Sequence, residues 1–493
     1  MVTGYWANTS AWCRFTSERI AMGRLFFLAL LSAISVVALV RPWIGVVAAY
    51  GIAILVPQAV WWWNFEDLRP AFWVLIPTIV GFVIGVFRGV LDVSVLANKR
   101  NLFMLVLWLF FAISYVAGPY TEVVNIYRFT DPDWAFESFN KIFLLYFLAC
   151  VCIDDLPKLR VLVLTVLGSA VYLVYWANDM YLSGNVMGRL PGPVDIHGIG
   201  TYSDENAFAM LFVVAQPFLW YMGQAVERRW LKYAIWLVIP FCWHAVFLTA
   251  SRGGLIGIGV TTLLMALRGK NKLLGLLLLP AFVGAYYWQA GDLMKERAET
   301  IGEYRTETSA STRLEAWQAA LGMVKDHPLT GVGLASLGPA FPDYSDKKPR
   351  EAHNTLLQIS AESGAVAGLM YGLMVVTSIL ALWRNGSRLR QMAGAEANRQ
   401  RDLLYLINEA VLIAFFGFVV CALFLSLQLS EIFYCLCLLV NAVLLVSVRQ
   451  FSGEPQGAGA TPRRSRPPLP RAPPSNAGRI ADSPTFNTKK GLS

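Results

Sequence analysis

Histidine is rare in this chain of 493 residues, and one of its four histidines lies where acid–base chemistry is possible. His353 stands in the run Ala-His-Asn-Thr-Leu-Leu, where a long polar segment gives way to an apolar one. A helix that begins here would place its positive dipole end next to the imidazole, which disfavours the imidazolium and keeps a neutral base near pH 7. We therefore predict that His353 is a general base, with a capping or interfacial histidine as the alternative.

Two polar residues follow His353 and are candidates for supporting it. Asn354 is its neighbour, and Glu362 comes nine residues after it, about 13 Å farther along an ideal helix. A carboxylate within an apolar helix is costly and usually faces a cavity or a partner. Glu362 is therefore predicted either to orient the site or to pair with a neighbouring helix.

A second candidate site is an arginine between two apolar segments. Arg252 follows Ser251 and precedes Gly253 and a further glycine, so a tight turn leads into an apolar helix. Backbone N–H groups, the helix dipole and a planar guanidinium all favour phosphate at a helix start, and glycine allows close approach. The pattern predicts an anion site at Arg252 with Ser251 and Gly253 in support. The alternative is an arginine that reaches the lipid headgroups.

Two other arginines are further candidates. Arg189 lies in a loop that contains glycine and proline, and the sequence suggests no structural role for it. Arg313 begins an amphipathic helix with Ser311 or Thr312 as the predicted cap, and it is either a phosphate ligand or a surface charge. Asp204, which precedes an apolar segment, is first of all predicted to cap a helix.

Patterns for nucleotide and metal binding are absent from the sequence. There is no GxxxxGK[ST] loop, and the seven cysteines show no CxxC spacing. We therefore expect neither a metal nor a cofactor. The cysteines within apolar stretches are expected to be small buried residues.

The elements that must position these residues are membrane helices. The chain is 56% hydrophobic and only 15% charged, whereas soluble chains have about 25% charged residues. Many apolar runs are long enough to cross a hydrocarbon core of about 30 Å, and a helix satisfies its own backbone groups in lipid. The sequence predicts an all-α fold, a polytopic transmembrane bundle of about twelve spans.

The distribution of Lys and Arg predicts the orientation of this bundle. Alternate loops are basic, and the loops between them contain few cations. Because cytoplasmic loops carry the excess of Lys and Arg, residues 290–354 are predicted to form a large external, partly helical loop domain. Arginines on that external side are exceptions, namely Arg69, Arg128, Arg189 and Arg252. The net charge of +9 follows from the basic loops and the tail, so it does not indicate nucleic acid.

Four parts are predicted along the chain. They are an N-terminal transmembrane bundle (1–289), the loop domain (290–354), C-terminal transmembrane helices (355–450) and a disordered, basic, proline-rich cytoplasmic tail (451–493). The first sixty residues fit less simply. Thirteen full spans would put the basic N-terminus outside, so the candidates at 24–40 and 43–60 are not both expected to be full spans.

In their order along the chain, these motifs resemble the O-antigen ligase and O-antigen polymerase family of bacterial envelope proteins. The resemblance covers residues 187–370 and rests on Tyr202 to Asn206, Ser251-Arg252-Gly253, Arg313 with Trp317, Pro328 with Gly331-Val332-Gly333, and His353-Asn354 followed by Glu362-Ser363-Gly364. The early run Arg41-Pro42-Trp43-Ile44-Gly45 resembles a subgroup similar to protein O-glycosylation ligases.

The resemblance implies a glycosyltransferase that needs no metal and inverts the anomeric centre. Such enzymes pass a glycan from an undecaprenyl-diphosphate donor to an acceptor hydroxyl at the periplasmic face of the bacterial inner membrane. His353 would be the base, and Arg252, Arg189 and Arg313 would hold the diphosphate. The implied acceptor is a growing glycan, lipid A core or a protein, and the sequence does not choose among lipopolysaccharide, exopolysaccharide and glycoprotein products. Membrane lipids are expected partners.

Two other functions remain open at this point. A transporter or flippase of lipid-linked sugars would show inverted repeats with broken helices, and no convincing repeat is visible. A non-catalytic polysaccharide export or assembly protein would tolerate the loss of His353 and Arg252.

Overall fold

The computed structural model describes residues 9–65, 68–123, 131–186, 188–194, 201–269, 272–299, 308–392 and 398–451. These residues contain eighteen α-helices, two short 3-10 helices and no β-strand. The prediction of an all-α fold is therefore confirmed. Arg128 and the predicted tail beyond residue 451 lie outside the described residues.

The helices follow one another along the chain with short connections. They are α1 (Thr9–Val40), α2 (Pro42–Leu55), α3 (Pro57–Val60), α4 (Trp62–Phe65), α5 (Pro70–Phe87), α6 (Lys99–Ala117), α7 (Pro132–Cys152), α8 (Leu156–Leu182), α9 (Glu205–Ala225), α10 (Arg229–Leu248), α11 (Arg252–Arg268), α12 (Lys272–Gln289), α13 (Asp292–Glu299), α14 (Thr308–Asp326), α15 (Leu337–Ala340), α16 (Thr355–Met392), α17 (Arg399–Ala422) and α18 (Glu431–Phe451).

Ten of these helices are long and apolar enough to cross a membrane: α1 over Met22–Val40, α5 to α10, and α16 to α18. The chain is therefore a multi-pass membrane protein. Helix α2 has only 14 residues, about 21 Å of helix. The second of the first two candidate spans is therefore too short to cross the membrane as one helix. Helices α3 and α4 follow α2 as far as Phe65. Helices α11 and α12, of 17 and 18 residues, pack against each other within the bundle.

Short polar side chains explain where several helices begin. Asp131, Asp155, Asp204, Ser251 and Asn398 each accept a hydrogen bond from a backbone N–H of the first turn that follows. Such caps satisfy donors that have no partner inside the helix. The prediction that Asp204 caps a helix is confirmed.

Burial separates the central helices from the peripheral ones. In α9, 89% of the most apolar window is buried, and in α17 and α18 the share is 78%, but it is only 11% for Met22–Val40. Helices α9, α17 and α18 therefore form the centre of the bundle, while α1 turns most of its apolar surface outward. The six described cysteines, Cys150, Cys152, Cys242, Cys421, Cys435 and Cys437, are free and buried.

One end of the bundle, here called the loop-domain end, gathers the described parts of residues 290–354 and the connections after α6, α8, α10 and α17. The Tyr120 N–H donates to the Val332 carbonyl (2.9 Å), and the Leu190 N–H donates to that of Leu248 (3.0 Å). The Thr355 hydroxyl donates to the Leu425 carbonyl (2.7 Å). The opposite end, here called the basic end, carries the cationic connections.

A turn of the loop domain fits into a break in α16. The backbone leaves the helical region at Gly364, where φ is 88°. The Ala365 N–H donates to the Pro328 carbonyl (2.8 Å), and the Val332 N–H donates to that of Ala361 (2.9 Å). These bonds satisfy groups that the break removes from the helix, so the domain and α16 form one packed unit.

Glycine is required on both sides of this contact. Gly331 and Gly364 have φ of 65° and 88°, the left-handed region that L side chains disfavour. A Cβ on Gly331 would overlap the Glu362 carbonyl, and one on Gly364 would overlap the Leu329 carbonyl. The glycines of both motifs thus permit two backbones to touch.

Helix α14 begins earlier than the sequence suggested. It starts at Thr308, so Ser311 and Thr312 lie inside the helix, and the prediction that one of them caps it is wrong. Alanine, leucine and glutamate between 310 and 316 favour helix, and one serine or threonine costs too little to stop it. Arg313 therefore lies in the second turn of α14.

A buried ion pair joins α11 to α17 near the basic end. Arg268 Nε and Nη2 donate to the two oxygens of Glu409 at 2.7 and 3.0 Å, and Glu409 is fully buried. The guanidinium carbon also lies 4.3 Å from the centre of the Trp383 ring on α16. Three helices therefore share one charge pair.

We predict that Gly331→Ala and Gly364→Ala each lower stability by more than about 1 kcal/mol, because each adds a methyl group where there is a carbonyl and where φ is positive. Thermal unfolding of the purified protein in detergent measures the effect. Gly372→Ala, farther along α16, is the matched control because nothing lies within 4 Å of the added carbon. Equal unfolding temperatures for the three variants would contradict the packing argument.

We predict that Glu409→Gln destabilises the bundle by about 3 kcal/mol, since it leaves a desolvated guanidinium without its anion. The control is Glu227→Gln, which removes the partner of Arg399 from an exposed pair at the same end. Detergent unfolding should distinguish the two variants. If they unfold alike, the buried pair contributes no more than a surface pair.

Candidate active site

The turn between α10 and α11 is built by hydrogen bonds to its own backbone. Ala250 has φ of 47°, which reverses the chain after α10. The buried Ser251 hydroxyl accepts from the Gly254 N–H (3.1 Å) and so caps α11. The Ser251 N–H in turn donates to the Thr249 hydroxyl (3.3 Å). Arg252 is thereby fixed as the first residue of α11, at its positive dipole end.

Glycine lets this turn pack closely on its neighbours. A Cβ on Gly253 would lie 3.4 Å from Cβ of Phe424, and one on Gly254 would lie 2.7 Å from Cβ of Ala209. The start of α11 therefore rests on α9 and on the connection after α17. Gly253 supports the turn through packing.

Arg189 holds two segments together. Its Nε donates to the Thr249 carbonyl (3.0 Å), and its Nη2 donates to Asn206 Oδ1 (2.9 Å). Its Nη1 lies 3.2 Å from a carboxylate oxygen of Glu205. The sequence suggested no structural role for Arg189, but the structure shows that it ties the Ser251 turn to the start of α9.

His353 lies where the loop domain meets α16, in an uncommon backbone conformation. Its φ is 47°, which is rare for a residue other than glycine. Asn354 Oδ1 accepts from the Leu357 N–H (3.2 Å) and caps α16, which begins at Thr355. The Trp317 ring N–H donates to the Ala352 carbonyl (2.8 Å), directly before the histidine.

The charges around His353 favour the neutral imidazole. Burial lowers the pKa of His353, the positive charges of Arg313 and Arg350 lower it further, and the Asp204 carboxylate opposes them. The sequence predicted this direction from the helix dipole, whereas here burial and two cations cause it. A neutral histidine accepts a proton, as a general base must.

Asp204 connects the two groups of candidate residues. It caps α9 with Oδ1, beside the residues that Arg189 contacts. Its charge also acts on His353 and raises the pKa of Glu351, which burial raises first. The loop domain and the start of α9 therefore face each other.

The connection after α17 links the same two groups from another side. Phe424 packs on Gly253. The Leu427 N–H donates to the Thr355 hydroxyl (3.0 Å), and the Ser426 hydroxyl donates to the Gln358 side chain (3.2 Å). The Ser251 turn and the start of α16 are thus adjacent features of the loop-domain end.

Glu362 lies on α16 in a pocket that several polar side chains line. Glu351, Gln358, Glu362 and Gln428 line this pocket. Gln358 donates to Glu362 (2.6 Å), and the backbone N–H groups of Ala335 and Leu337 also bond to that carboxylate. Glu362 therefore faces polar groups of the loop domain and of its own helix.

Sequence reasoning missed several of these residues. Arg350, Glu351 and Gln358 gave no separate signal, although the first two lie three and two residues before His353 and the third lies one helical turn into α16. Their proximity to His353 was detectable, but the hydrogen bonds of Gln358 were not. The guanidinium of Arg69 lies 5.9 Å from the Phe72 ring, at the start of α5.

Metal-binding clusters are not apparent in the part of the chain that the structure describes. No group there of three or more His, Cys, Asp or Glu side chains is arranged to hold a metal ion. The site just described consists of arginines, one histidine and carboxylates.

Comparison with known proteins addresses the segment that carries most of this site. Residues 233–372 match a family model described as O-antigen ligase. Over this segment the chain is similar to the O-antigen ligase family. The O-antigen ligase segment includes Arg252, Arg313 and His353, and Arg189 reaches it by bonding to Thr249. No curated protein matches the chain.

This match to the O-antigen ligase family model supports a glycan transferase of the ligase and polymerase type. The match ends within α16, just past the break at Gly364. It therefore contains both motifs that fit together at this break.

We predict that Arg313→Gln raises the pKa of His353, because it removes the largest cationic influence on a half-buried imidazole. Asp204→Asn should lower the pKa and keep the helix cap, since asparagine caps as well as aspartate. Diethylpyrocarbonate reacts with neutral imidazole, so site-resolved mass spectrometry across pH reports the titration. The midpoint should move up in the first variant and down in the second. Unmoved midpoints would mean that these charges do not act on His353.

Proposed function

We propose that this protein transfers a glycan from an undecaprenyl-diphosphate donor to an acceptor hydroxyl at the periplasmic face of a bacterial inner membrane. The observation that carries the proposal is the position of His353 inside the O-antigen ligase segment. It is a half-buried imidazole whose neutral form is favoured, with Arg313 and Arg350 close enough to act on it. A base beside fixed cations suits the attack of a hydroxyl on a sugar whose leaving group is anionic.

The proposed reaction breaks one bond and forms another. The acceptor oxygen attacks the anomeric carbon while His353 takes its proton, and the bond from that carbon to the diphosphate oxygen breaks. The electron pair leaves with the lipid diphosphate, which gains negative charge. Attack opposite the leaving group inverts the anomeric centre. No metal and no cofactor enter this scheme.

Arginines are proposed to stabilise the leaving diphosphate. Arg252 is the first ligand because the helix start adds backbone N–H groups and dipole to its guanidinium. Arg189 and Arg313 are further ligands, and Arg189 also holds the turn that bears Arg252. Fixed donors aimed at developing charge give a large share of catalysis in such sites.

The remaining candidate residues are proposed to support these groups. Ser251 and Gly253 shape the turn before and within the start of α11. Asn354 caps the helix that follows the base, and Glu362 accepts a hydrogen bond from Gln358 on the same helix. Their loss should weaken the site without removing its reacting groups.

The proposal places residues 290–354 in the periplasm, between the transmembrane parts 1–289 and 355–450. The scarcity of cations in the connections of the loop-domain end supports this orientation. The acceptor is proposed to be a growing glycan, lipid A core or a protein. Mass spectrometry of the product made by the native strain distinguishes the three.

We predict that His353→Ala and Arg252→Ala each abolish glycan transfer in a strain that lacks the native gene, and that lipid-linked donor accumulates. Removing a base costs roughly 10²–10⁴-fold in rate. Glycan gels and lipid extracts measure both effects at matched protein level.

The controls for this experiment are His327→Gln, in the same domain, and Arg160→Ala, at the basic end. Both should retain transfer. If His353→Ala and Arg252→Ala are present at normal level and make full-length product, the catalytic assignment is wrong and a transport or assembly role is favoured.

A further inference from the structure

We propose that Gln358 is a positioning residue that fixes the backbone of His353, and that Glu362 fixes the orientation of the Gln358 amide. This inference rests on the proposed function, since it assigns a purpose to the accurate placement of His353. It concerns residues that do not touch the substrate.

Gln358 holds the residue before the histidine. Its Oε1 accepts from the Ala352 N–H (2.9 Å), and only 2% of the residue is exposed. The Trp317 ring N–H holds the carbonyl of the same residue (2.8 Å). Both backbone groups of Ala352 are thus bound by side chains from two different helices.

These hydrogen bonds to Ala352 matter because the backbone of His353 lies in a sparsely populated region of φ and ψ. A non-glycine residue at φ of 47° persists only when its surroundings hold it there. On the other side of His353, Asn354 caps α16 and the Thr355 hydroxyl bonds to the connection after α17. The chain is therefore fixed immediately before and after the histidine.

Glu362 determines which end of the Gln358 amide faces Ala352. Gln358 Nε2 donates to Glu362 Oε1 (2.6 Å), so Gln358 Oε1 must face the opposite way. In that orientation it meets the Ala352 N–H and the Ser426 hydroxyl, both of which are donors. If the amide were flipped, its NH₂ group would face the Ala352 N–H.

The order of influence therefore runs from Glu362 through Gln358 and Ala352 to His353. Glu362 is itself held by the backbone N–H groups of Ala335 and Leu337 in the loop domain. The break in α16 at Gly364 lies two residues beyond it. Hydrogen bonds thereby connect the packed contact between the loop domain and α16 to the backbone directly before His353.

An exchange of the two side chains tests this order. Gln358→Glu should place two carboxylates against each other, and Glu362→Gln should place an NH₂ group against either Gln358 or the backbone N–H groups. Each single variant should lower kcat by about tenfold to a hundredfold, since a shift of about 1 Å at a catalytic group costs that much. The KM for lipid-linked donor should change little.

The double variant Gln358→Glu with Glu362→Gln should recover most of the lost rate. The glutamine at position 362 would donate its NH₂ group to the glutamate at position 358. Its carbonyl oxygen would still accept from the backbone N–H groups of Ala335 and Leu337. The exchanged glutamate would accept from Ala352 and Ser426. Gln400→Glu, an exposed glutamine at the basic end, is the matched control and should transfer at the normal rate.

The assay uses the full chain in detergent with lipid-linked donor extracted from the native strain. Unfolding temperatures of all variants are measured alongside. Recovery of kcat in the double variant supports the inference. Normal kcat in both single variants, or no recovery in a double variant that unfolds at the normal temperature, overturns it.

Failure of the proposed function would appear differently. In that case His353→Ala would transfer glycan normally in the same assay. If His353→Ala is inactive while Gln358→Glu is fully active, only the positioning inference fails.

Discussion

The close contact between the Pro328–Gly333 turn and the broken helix α16 is the constraint on which the rest of the site depends. Two backbones meet there with no side chain between them, and hydrogen bonds on both sides replace those that the break removes. Helix α16 continues into the bundle and packs against other membrane helices. The loop domain is therefore held against the bundle through its contact with α16. His353 lies between these two parts, so its position is determined by both.

The sequence predicted the membrane bundle and the main candidate residues because those signals are local. A few consecutive residues are enough to recognise each signal. These signals are a long apolar run, a helix cap such as Ser251 or Asp204, and a turn such as Ser251 to Gly253. The contacts of Arg189 are not local, since its partner Thr249 lies 60 residues away. The glycines at 331 and 364 were visible as a motif, but their purpose appears only when their segments meet.

The electrostatics of His353 show how a correct expectation can have another cause. A helix start next to a histidine suggested a neutral imidazole, and the pKa is indeed lowered. Burial and the charge of Arg313 produce the shift, because the loop domain folds over the start of α16. Burial cannot be read from the neighbours of His353 in sequence, since it comes from α14, about forty residues earlier.

The hydrogen bonds of Thr355 to residues after α17 have a consequence for the order in which the site forms during synthesis. A growing chain makes its N-terminal helices first, so the hydrogen bonds that shape the Ser251 turn, including the one from Arg189 to the Thr249 carbonyl, can form once α11 exists. The histidine is different. Thr355 is bound by Leu425 and Leu427, which follow α17. The hydrogen bonds of Arg189 and the Ser251 turn can therefore form before those that anchor the start of α16, and a nascent chain ending before α17 would still lack the anchors of the segment that bears His353.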